Sequence, residues 1–281
     1  GILTEAGRDK LTFALPEAIA PFGDWVEQLV AESTGKEGKG ILPVVGESVG
    51  DGAVYGADRL FVQFALAGET AVIPANQPSI RIELDDVYAL GGQFMVWEMA
   101  TAVSSHLLDV QPFDQPNVES AKVVARQMIA AYMETGTLPA ADTVPFSAAA
   151  VAAFMSGVKA GDYISIHAYV PTTVETTAVL TQLQDQLRAR YKVAVTIGYG
   201  PRFLHSTGQL HKGDGGNGWF IQFISSPEQD VAIPDEAGAF ASAMSFGTLK
   251  ASQAMGDAGA LRDAGRPVIS FAVRKGLVWN G

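Results

Sequence analysis

Cysteine is absent from the 281 residues. That excludes disulfides, thiolate metal sites and a cysteine nucleophile. A surplus of positive charge is missing too: 19 Lys and Arg stand against 30 Asp and Glu, a net charge of −11. Nucleic acid is therefore excluded as a partner, because no electropositive footprint offsets its phosphates. A small phosphorylated ligand stays open, since a few placed Lys, Arg and His outweigh a distant acidic surface. No uninterrupted apolar run reaches the roughly 18 residues of a membrane span, so no membrane association is expected. The opening GILTEAGRDK has no signal-peptide pattern. Together with the lack of cysteine, this gives a cytoplasmic expectation. The opening also lacks Met and is helix-like, so the chain reads as a piece of something longer.

What is present is core material. Hydrophobic residues make up 48% and charged residues 17%, with 30 Gly and 14 Pro for turns. Disorder does not fit that balance. Leu11, Leu15, Ile19, Phe22, Val26, Leu29 and Val30 recur at spacings of three and four, which predicts a short helix and then a longer one within 4–33, broken about Pro16 and Pro21. RLFVQFAL (59–66) reads as a strand covered on both faces, and IRIELDD (80–86) as a second or edge strand. A helix is expected over 87–110, and another to about Thr135, capped by Asp114 or Asn117. Residues 136–146 are the linker candidate. The second half repeats the alternation: strands at 163–170, 193–199, 219–225 and 267–273, helices at 173–191 and 239–263. FVQF in one half and FIQF in the other hint at duplication. Alternation of this kind predicts an α/β fold with a mainly parallel sheet.

Three segments concentrate chemistry. In Glu32-Ser33-Thr34-Gly35-Lys36-Glu37-Gly38-Lys39-Gly40, glycines permit close backbone approach and two lysines offer charge. It is not a Walker loop, and its plainer reading is a solvated helix end capped by Gly35, with Lys36 facing the dipole. In QPFDQPNVESAK (111–122), two prolines fix the backbone before a helix start, with Gln115 ahead of it and Lys122 inside it. That suits an anion or a sugar hydroxyl, or simply a helix–helix corner. The richest cluster, GPRFLHSTGQLHKGDGGNG (200–218), holds His205, Gln209, His211, Lys212 and Asp214 between two strands. Open α/β sheets bind ligands at such strand ends. The spacing is not that of a metal site. His167 reads as a core residue, His106 as packing or surface, and Glu98 as buried and paired.

These segments share one resemblance. ESTGKEGKGILPV resembles the Glu-Ser-x-Gly-Lys motif of phosphoglucose isomerases. WEMATAVSSHLLDVQPFDQPNVESAK resembles their signature helix and its Asn-Pro-Phe-Asp-Gln-Pro-Gly-Val-Glu segment ending in lysine. GYGPRFLHSTGQLHKG resembles a segment of transaldolase–phosphoglucose isomerase fusions. The resemblance implies sugar isomerase domains, a three-layer α/β/α sandwich with a parallel sheet, here as two related α/β units. It divides the chain into 1–136, a phosphoglucose isomerase subdomain, and 147–281, a C-terminal subdomain. It implies interconversion of glucose 6-phosphate and fructose 6-phosphate through an enediol, with no metal or other cofactor. The implied partners are an upstream sugar isomerase unit and a transaldolase domain of the same polypeptide, and a homo-oligomer. Gln115 and Lys122 fall on the family's glutamine and lysine. Lys122 is expected to open the ring or anchor substrate, with His211 and Asp214 completing the catalytic set. Gln115, Glu32, His205, Gln209 and Lys212 are expected to bind substrate. Asp214 is the only acid where the family has a glutamate, and Glu32 is the other candidate base. The order of the motifs departs from the simpler members, in which the Gln-Pro-Phe-Asp-Gln motif comes last. The phosphate-binding Ser/Thr loop of the family does not occur before residue 32, so the chain is expected to carry half of an active site. A non-catalytic sugar-phosphate-binding module is the alternative.

Overall fold

The computed structural model describes residues 1–69, 73–74 and 76–273. A one-turn helix, α1 (Ile2–Glu5), leads into β1 (Lys10–Ala14). This strand replaces the helix expected from the spacing of Leu11 and Leu15. The twelve residues from Thr4 to Leu15, ahead of Pro16, are marginal for a helix on their own, and β1 finds ladder partners on both sides. α2 (Pro21–Thr34) then runs as expected, with Pro21 at its start. It is followed by β2 (Leu42–Val44), β3 (Arg59–Leu66) and β4 (Ser79–Leu84). These strands form a fully parallel sheet in the order β2-β1-β3-β4. The apolar run of β3 is buried on both faces, and the alternating IRIEL segment takes the edge.

α3 (Leu90–Leu107) and α4 (Val118–Thr135) come next. α3 turns Trp97, Thr101 and Ser105 inward and leaves Met95, Met99 and Val103 exposed. Glu98, expected to be buried, is exposed, as is His106. β5 (Val144–Pro145) lies within the proposed linker, and α5 (Ala148–Phe154) follows. β6 (Tyr163–Tyr169), α6 (Val174–Tyr191), β7 (Ala194–Tyr199), α7 (Gly208–Gly213) and β8 (Gly218–Ser225) come in turn. The short pair β9 (Ala232–Ile233) and β10 (Met244–Ser245), then α8 (Phe246–Asp263) and β11 (Val268–Val273), complete the described residues. The helix expected over 239–263 starts only at Phe246, where Ser245 accepts a cap bond from the Thr248 amide. The second sheet is also parallel, in the order β5-β11-β8-β6-β7. Residues 274–281 of the expected C-terminal subdomain lie outside the described residues.

Each sheet has its own core. Phe13, Phe22, Val26, Val62, Phe64 and Trp97 pack in the first, and Ile164, Ile166, Leu180, Leu183, Phe223 and Phe271 in the second. Full burial of such a side chain contributes about 1.5–3 kcal/mol. A third cluster joins the halves: Ala31, Leu42 and Val44 meet Tyr163, Ala194, Leu210, Phe220 and Leu261. α4 packs along α8, and α2 against α7. A buried ion pair adds a polar link. Arg59 of β3 holds Glu47 through two bonds of 3.0 Å, and Arg188 of α6 lies 3.6 Å from the same carboxylate. The two sheets are therefore docked so that α2, α4, α7 and α8 meet between them, and the three sequence motifs ride on those helices.

Candidate active site

The ESTGK segment ends α2. Thr34 is buried, donates to the Val30 carbonyl at 2.7 Å and accepts the Ile41 amide at 3.0 Å, which folds the chain back toward β2. Gly35 caps the helix as expected. Lys36 is not the solvated lysine of the plainer reading. It is fully buried, and its ammonium donates to the Gln111 carbonyl at 2.6 Å, to the Asp114 carbonyl and to the Asp114 carboxylate at 3.1 Å. One side chain thus ties the first motif to the second. An ammonium has three donors and no acceptor, so three converging oxygens satisfy it completely.

Gln209 makes the other tie. It is fully buried on α7, where its amide nitrogen donates to the Gly35 carbonyl at 2.9 Å and to Asn117 Oδ1 at 2.7 Å. Its carbonyl oxygen accepts the Asn117 backbone amide at 2.8 Å. A side chain expected to touch substrate instead spends its polar atoms joining all three motifs. Asn117 precedes α4 as expected, but its side chain meets Gln209 rather than capping the helix. Two glycines make the approach possible. A Cβ at Gly213 would lie 2.5 Å from the Gly35 carbonyl and 2.8 Å from Asn117 Oδ1, and a Cβ at Gly35 would strike the Leu210 backbone.

The stitched loops present four side chains outward. Gln115 is exposed between the anchored Asp114 and the anchored Asn117, and its carbonyl accepts the Val118 amide at 3.5 Å. Lys122 stands one turn inside α4, exposed. His205 is exposed at the end of the short turn before α7. Glu32 is half-buried on the last turn of α2. Burial raises the pKa of Glu32, opposed by a 3.5 Å hydrogen bond from Gln28 and by the charges of His205, Lys36 and Lys122. The carboxylate of the first motif, the lysine of the second and the histidine of the third therefore share one neighbourhood. Beside it lies a cavity of about 290 Å³, lined by Lys122, Arg126, Leu204, His205, Lys212 and Leu249 among others.

The remaining expected residues face the interior. His211 is buried, ring against ring with His167 at 4.9 Å and Phe220 at 5.1 Å, and burial with the neighbouring His167 holds its pKa well below the ordinary value. Asp214 is also buried. It accepts the Tyr163 hydroxyl at 2.7 Å and the Gly216 amide at 3.0 Å, and it pairs with Arg266 at 3.0 Å. Burial raises its pKa against these bonds. Lys212 borders the cavity, but its ammonium also pairs with the fully buried Asp257 at 2.7 Å. Burial works against ionisation of Asp257, yet Lys212 and His167 hold its pKa below the carboxylate range. His167 is the core residue expected, bonded to Asp257 through Nδ1 at 3.0 Å.

Several participants carried no sequence signal. Asp257 lies in a Gly- and Ala-rich helix, and Arg266 follows a turn, far along the chain from their partners. Arg126 could have been found, since it stands four residues after Lys122 on the same helix face. Among the described residues, no group of His, Asp and Glu could hold a metal ion, and no helix is long and apolar enough to cross a membrane.

No family model matches the chain. Glucose-6-phosphate isomerases do align with part of it. That of Acholeplasma laidlawii is 29% identical over 166 residues, covering 43% of this chain and 39% of the relative. That of Mycoplasmopsis pulmonis is 30% identical over 145 residues (35% and 34%), and that of Heliobacterium modesticaldum 31% over 158 residues (40% and 35%). The chain spans between a third and two fifths of the length of these relatives. Among solved structures, a hypothetical protein from Thermus thermophilus aligns over 96% of this chain and 74% of its own, at 14% identity and a TM-score of 0.36. By its own strand pairing, the fold is of the α/β class with parallel sheets. Within it, the chain carries a region similar to glucose-6-phosphate isomerases.

Proposed function

We propose that the chain supplies the proton-transfer end of an aldose–ketose isomerase acting on glucose 6-phosphate and fructose 6-phosphate. The observation that supports this reading is the convergence of Glu32, Lys122 and His205, one from each motif, held together by Lys36 and Gln209. Glu32 is the base in this reading, not Asp214. A base needs an oxygen left for substrate and a pKa lifted toward the working pH. Glu32 has both, whereas the oxygens of Asp214 are taken by Tyr163, Gly216 and Arg266.

The chemistry follows. His205 or Lys122 donates a proton to the ring oxygen while the anomeric hydroxyl loses one, and the sugar opens to the aldehyde. Glu32 removes the proton from C2, and the C2–H electron pair forms the enediol double bond as the carbonyl oxygen takes up a proton. Return of the proton from Glu32 to C1, with loss of the proton on the C2 oxygen, gives the ketose. Gln115, on its clamped loop, binds a sugar hydroxyl. No electrons leave the sugar, so no redox cofactor enters. The third motif supports reading the chain as part of a transaldolase fusion; a cytoplasmic location and a homo-oligomer belong to the same proposal.

The test is a coupled assay on the protein expressed from its whole reading frame. Glu32→Gln should lower kcat by about 10³-fold, within the range of positioned acid–base catalysis, with a KM change under about threefold. Retention of more than a tenth of the rate would remove Glu32 from the mechanism.

A further inference from the structure

The echo between the two halves, FVQF at 61–64 and FIQF at 220–223, places one glutamine on an interior strand of each sheet. Both are buried, Gln63 at 2% exposure and Gln222 at 0%. A buried amide is costly unless its polar atoms are met. Those of Gln222 are. Its nitrogen donates to the Ala254 carbonyl and to Asp257, each at 3.2 Å, and its oxygen accepts the Ser270 hydroxyl at 2.9 Å. Gln63 differs. Among the described residues, no group of the protein hydrogen-bonds its side chain. Gln63 instead lines a cavity of about 600 Å³, within the size range of small-molecule sites.

The cavity sits at the carboxyl ends of the strands of the first sheet. Ala14 of β1 and Gln63 of β3 are partners in register, and both line it, as does the segment that follows β2. The chain leaves β1 toward β2 on one side and leaves β3 toward β4 on the other. The crevice between β1 and β3 is therefore a topological switch point, where open α/β sheets take ligands. It is not the site of Glu32. α2 starts beside the cavity, where Ala20 lines it, and runs away from it. Glu32 lies twelve residues beyond Ala20, roughly 18 Å along the helix.

The lining decides what chemistry fits. Among the described residues it holds no Lys, Arg or His. Its carboxylates are Glu47, held by Arg59 through two bonds of 3.0 Å, and the exposed Glu69, which accepts the Leu66 amide at 3.1 Å. An anion would meet negative charge there and no free cation, which sets aside a sugar phosphate. A bare sugar carries a hydroxyl on nearly every carbon, and these walls are largely apolar, with Leu15, Val45, Val49 and Phe64 among them. The Ser48 hydroxyl is committed to Asp185 at 2.7 Å. Gln63 is thus the buried side chain with polar atoms left to give, a donor beside an acceptor. An amide of this kind pairs with adenine through two bonds at once. We infer that this cavity binds an uncharged heteroaromatic ring whose edge carries a donor beside an acceptor, as adenine does. Gln63 makes both bonds, and the apolar side chains cover the ring. Nothing in this inference depends on the isomerase reading.

Equilibrium titration of the 281-residue chain tests it, with adenine and purine as probes, followed by calorimetry and ligand-observed NMR. Adenine should bind about tenfold more tightly than purine, which lacks the amine that the Gln63 oxygen accepts. In Gln63→Leu that preference should vanish. The variant should melt no lower than wild type, because it loses an amide that the protein leaves unpaired. Ala20→Trp, at an exposed position on the rim, should weaken adenine by about tenfold or more, with an unchanged circular dichroism spectrum as the control for folding. Saturating glucose 6-phosphate, and Glu32→Gln, should each leave adenine affinity within about twofold, as expected of separate sites. Four results would overturn the inference: no binding of adenine at about 5 mM, equal affinity for the two rings in wild type, a preference for adenine that survives Gln63→Leu, or displacement of adenine by glucose 6-phosphate. Turnover plays no part in these readings. Loss of the isomerase reading would leave the adenine result standing, and a working isomerase that ignores adenine would do the reverse.

Discussion

Asp214 and Glu32 occupy two regions that look alike in sequence and differ in kind. Each acid stands beside a Gly- and Lys-containing turn; Asp214 lines a cavity, whereas Glu32 stands near Lys122 and His205, which line another. The cavity at Asp214, about 400 Å³, also meets Asp9, Lys10, Lys39 and Tyr163. Its charges are already matched: Lys10 bonds Asp9 at 2.7 Å, and Asp214 pairs with Arg266. Around Glu32 the matching is incomplete. Its hydrogen bond from Gln28 is long, at 3.5 Å, and among the described residues three basic side chains stand near without closing on it. The difference shows how a structural carboxylate is told from an available one. Burial raises both pKa values, so pKa direction alone does not separate them. The count of oxygens already bonded does.

The sharpest way to break that comparison is to cut Asp214. Asp214→Ala removes the partner of Tyr163 and Arg266 in a buried setting, and should lower stability by about 3–5 kcal/mol in urea melts. Asp214→Asn keeps the shape and should cost less. Its kcat should stay within about threefold of wild type at a temperature where it is folded, against the loss of about 10³ expected for Glu32→Gln. If Asp214→Asn lost activity as Glu32→Gln does while melting normally, the two regions would have to exchange roles.

A second, smaller effect probes the stitching that both regions depend on. Gln209→Leu fits the space but removes the bonds that Gln209 makes to the Gly35 carbonyl and to the Asn117 amide and Oδ1. Each unmet buried group costs about 1–3 kcal/mol where water cannot replace the bond, so a loss of about 3 kcal/mol is expected. Because the loop bearing Gln115 would shift, KM should rise more than kcat falls. Stability within about 0.5 kcal/mol of wild type would mean that the motifs are held together by packing alone.

The strands show what could be read beforehand. RLFVQFAL, YISIHAYV and WFIQFIS are apolar runs of strand length, and all became parallel strands buried on both faces or nearly so. β1 was hidden because KLTFA sits in a stretch whose apolar spacing also suits a helix, and only the neighbouring strands decide between them. The site was legible as segments, not as roles. Spacing brought Gln115 and Lys122 into view, but nothing local distinguishes Lys36, which is fully buried, from Lys122, which is exposed. Gln209 was expected to bind substrate because it lies in the polar segment that carries the family resemblance. Its bonds to Asn117 join residues 92 apart in sequence. Long-range partners decide whether a polar side chain binds substrate or backbone, and one-dimensional spacing does not contain them.

The smallest expected effect concerns the turn that presents His205. Glu27, about a turn and a half before Glu32 on α2, accepts the Ser206 hydroxyl at 3.0 Å. Burial pushes its pKa up to about 7, the Ser206 bond pulls it down, Asp24 raises it and Arg202 lowers it. A carboxyl whose folded pKa exceeds its unfolded value holds more protons in the native state between the two. Stability attributable to Glu27 should therefore be full below its ordinary value of 4.5 and fall as pH rises through about 7. Because Glu27 is partly open to solvent, the expected loss is about 1 kcal/mol rather than the full linkage value. Glu27→Gln stays neutral at every pH and can still accept from Ser206. Its urea midpoint should match wild type at pH 4.5 and exceed it at pH 8. A wild-type midpoint with the same pH dependence as Glu27→Gln would show that the carboxyl ionises as it does in water, and would place the Ser206 contact at the surface, where it holds the His205 turn no more firmly than the exposed Asp24–Arg202 pair does.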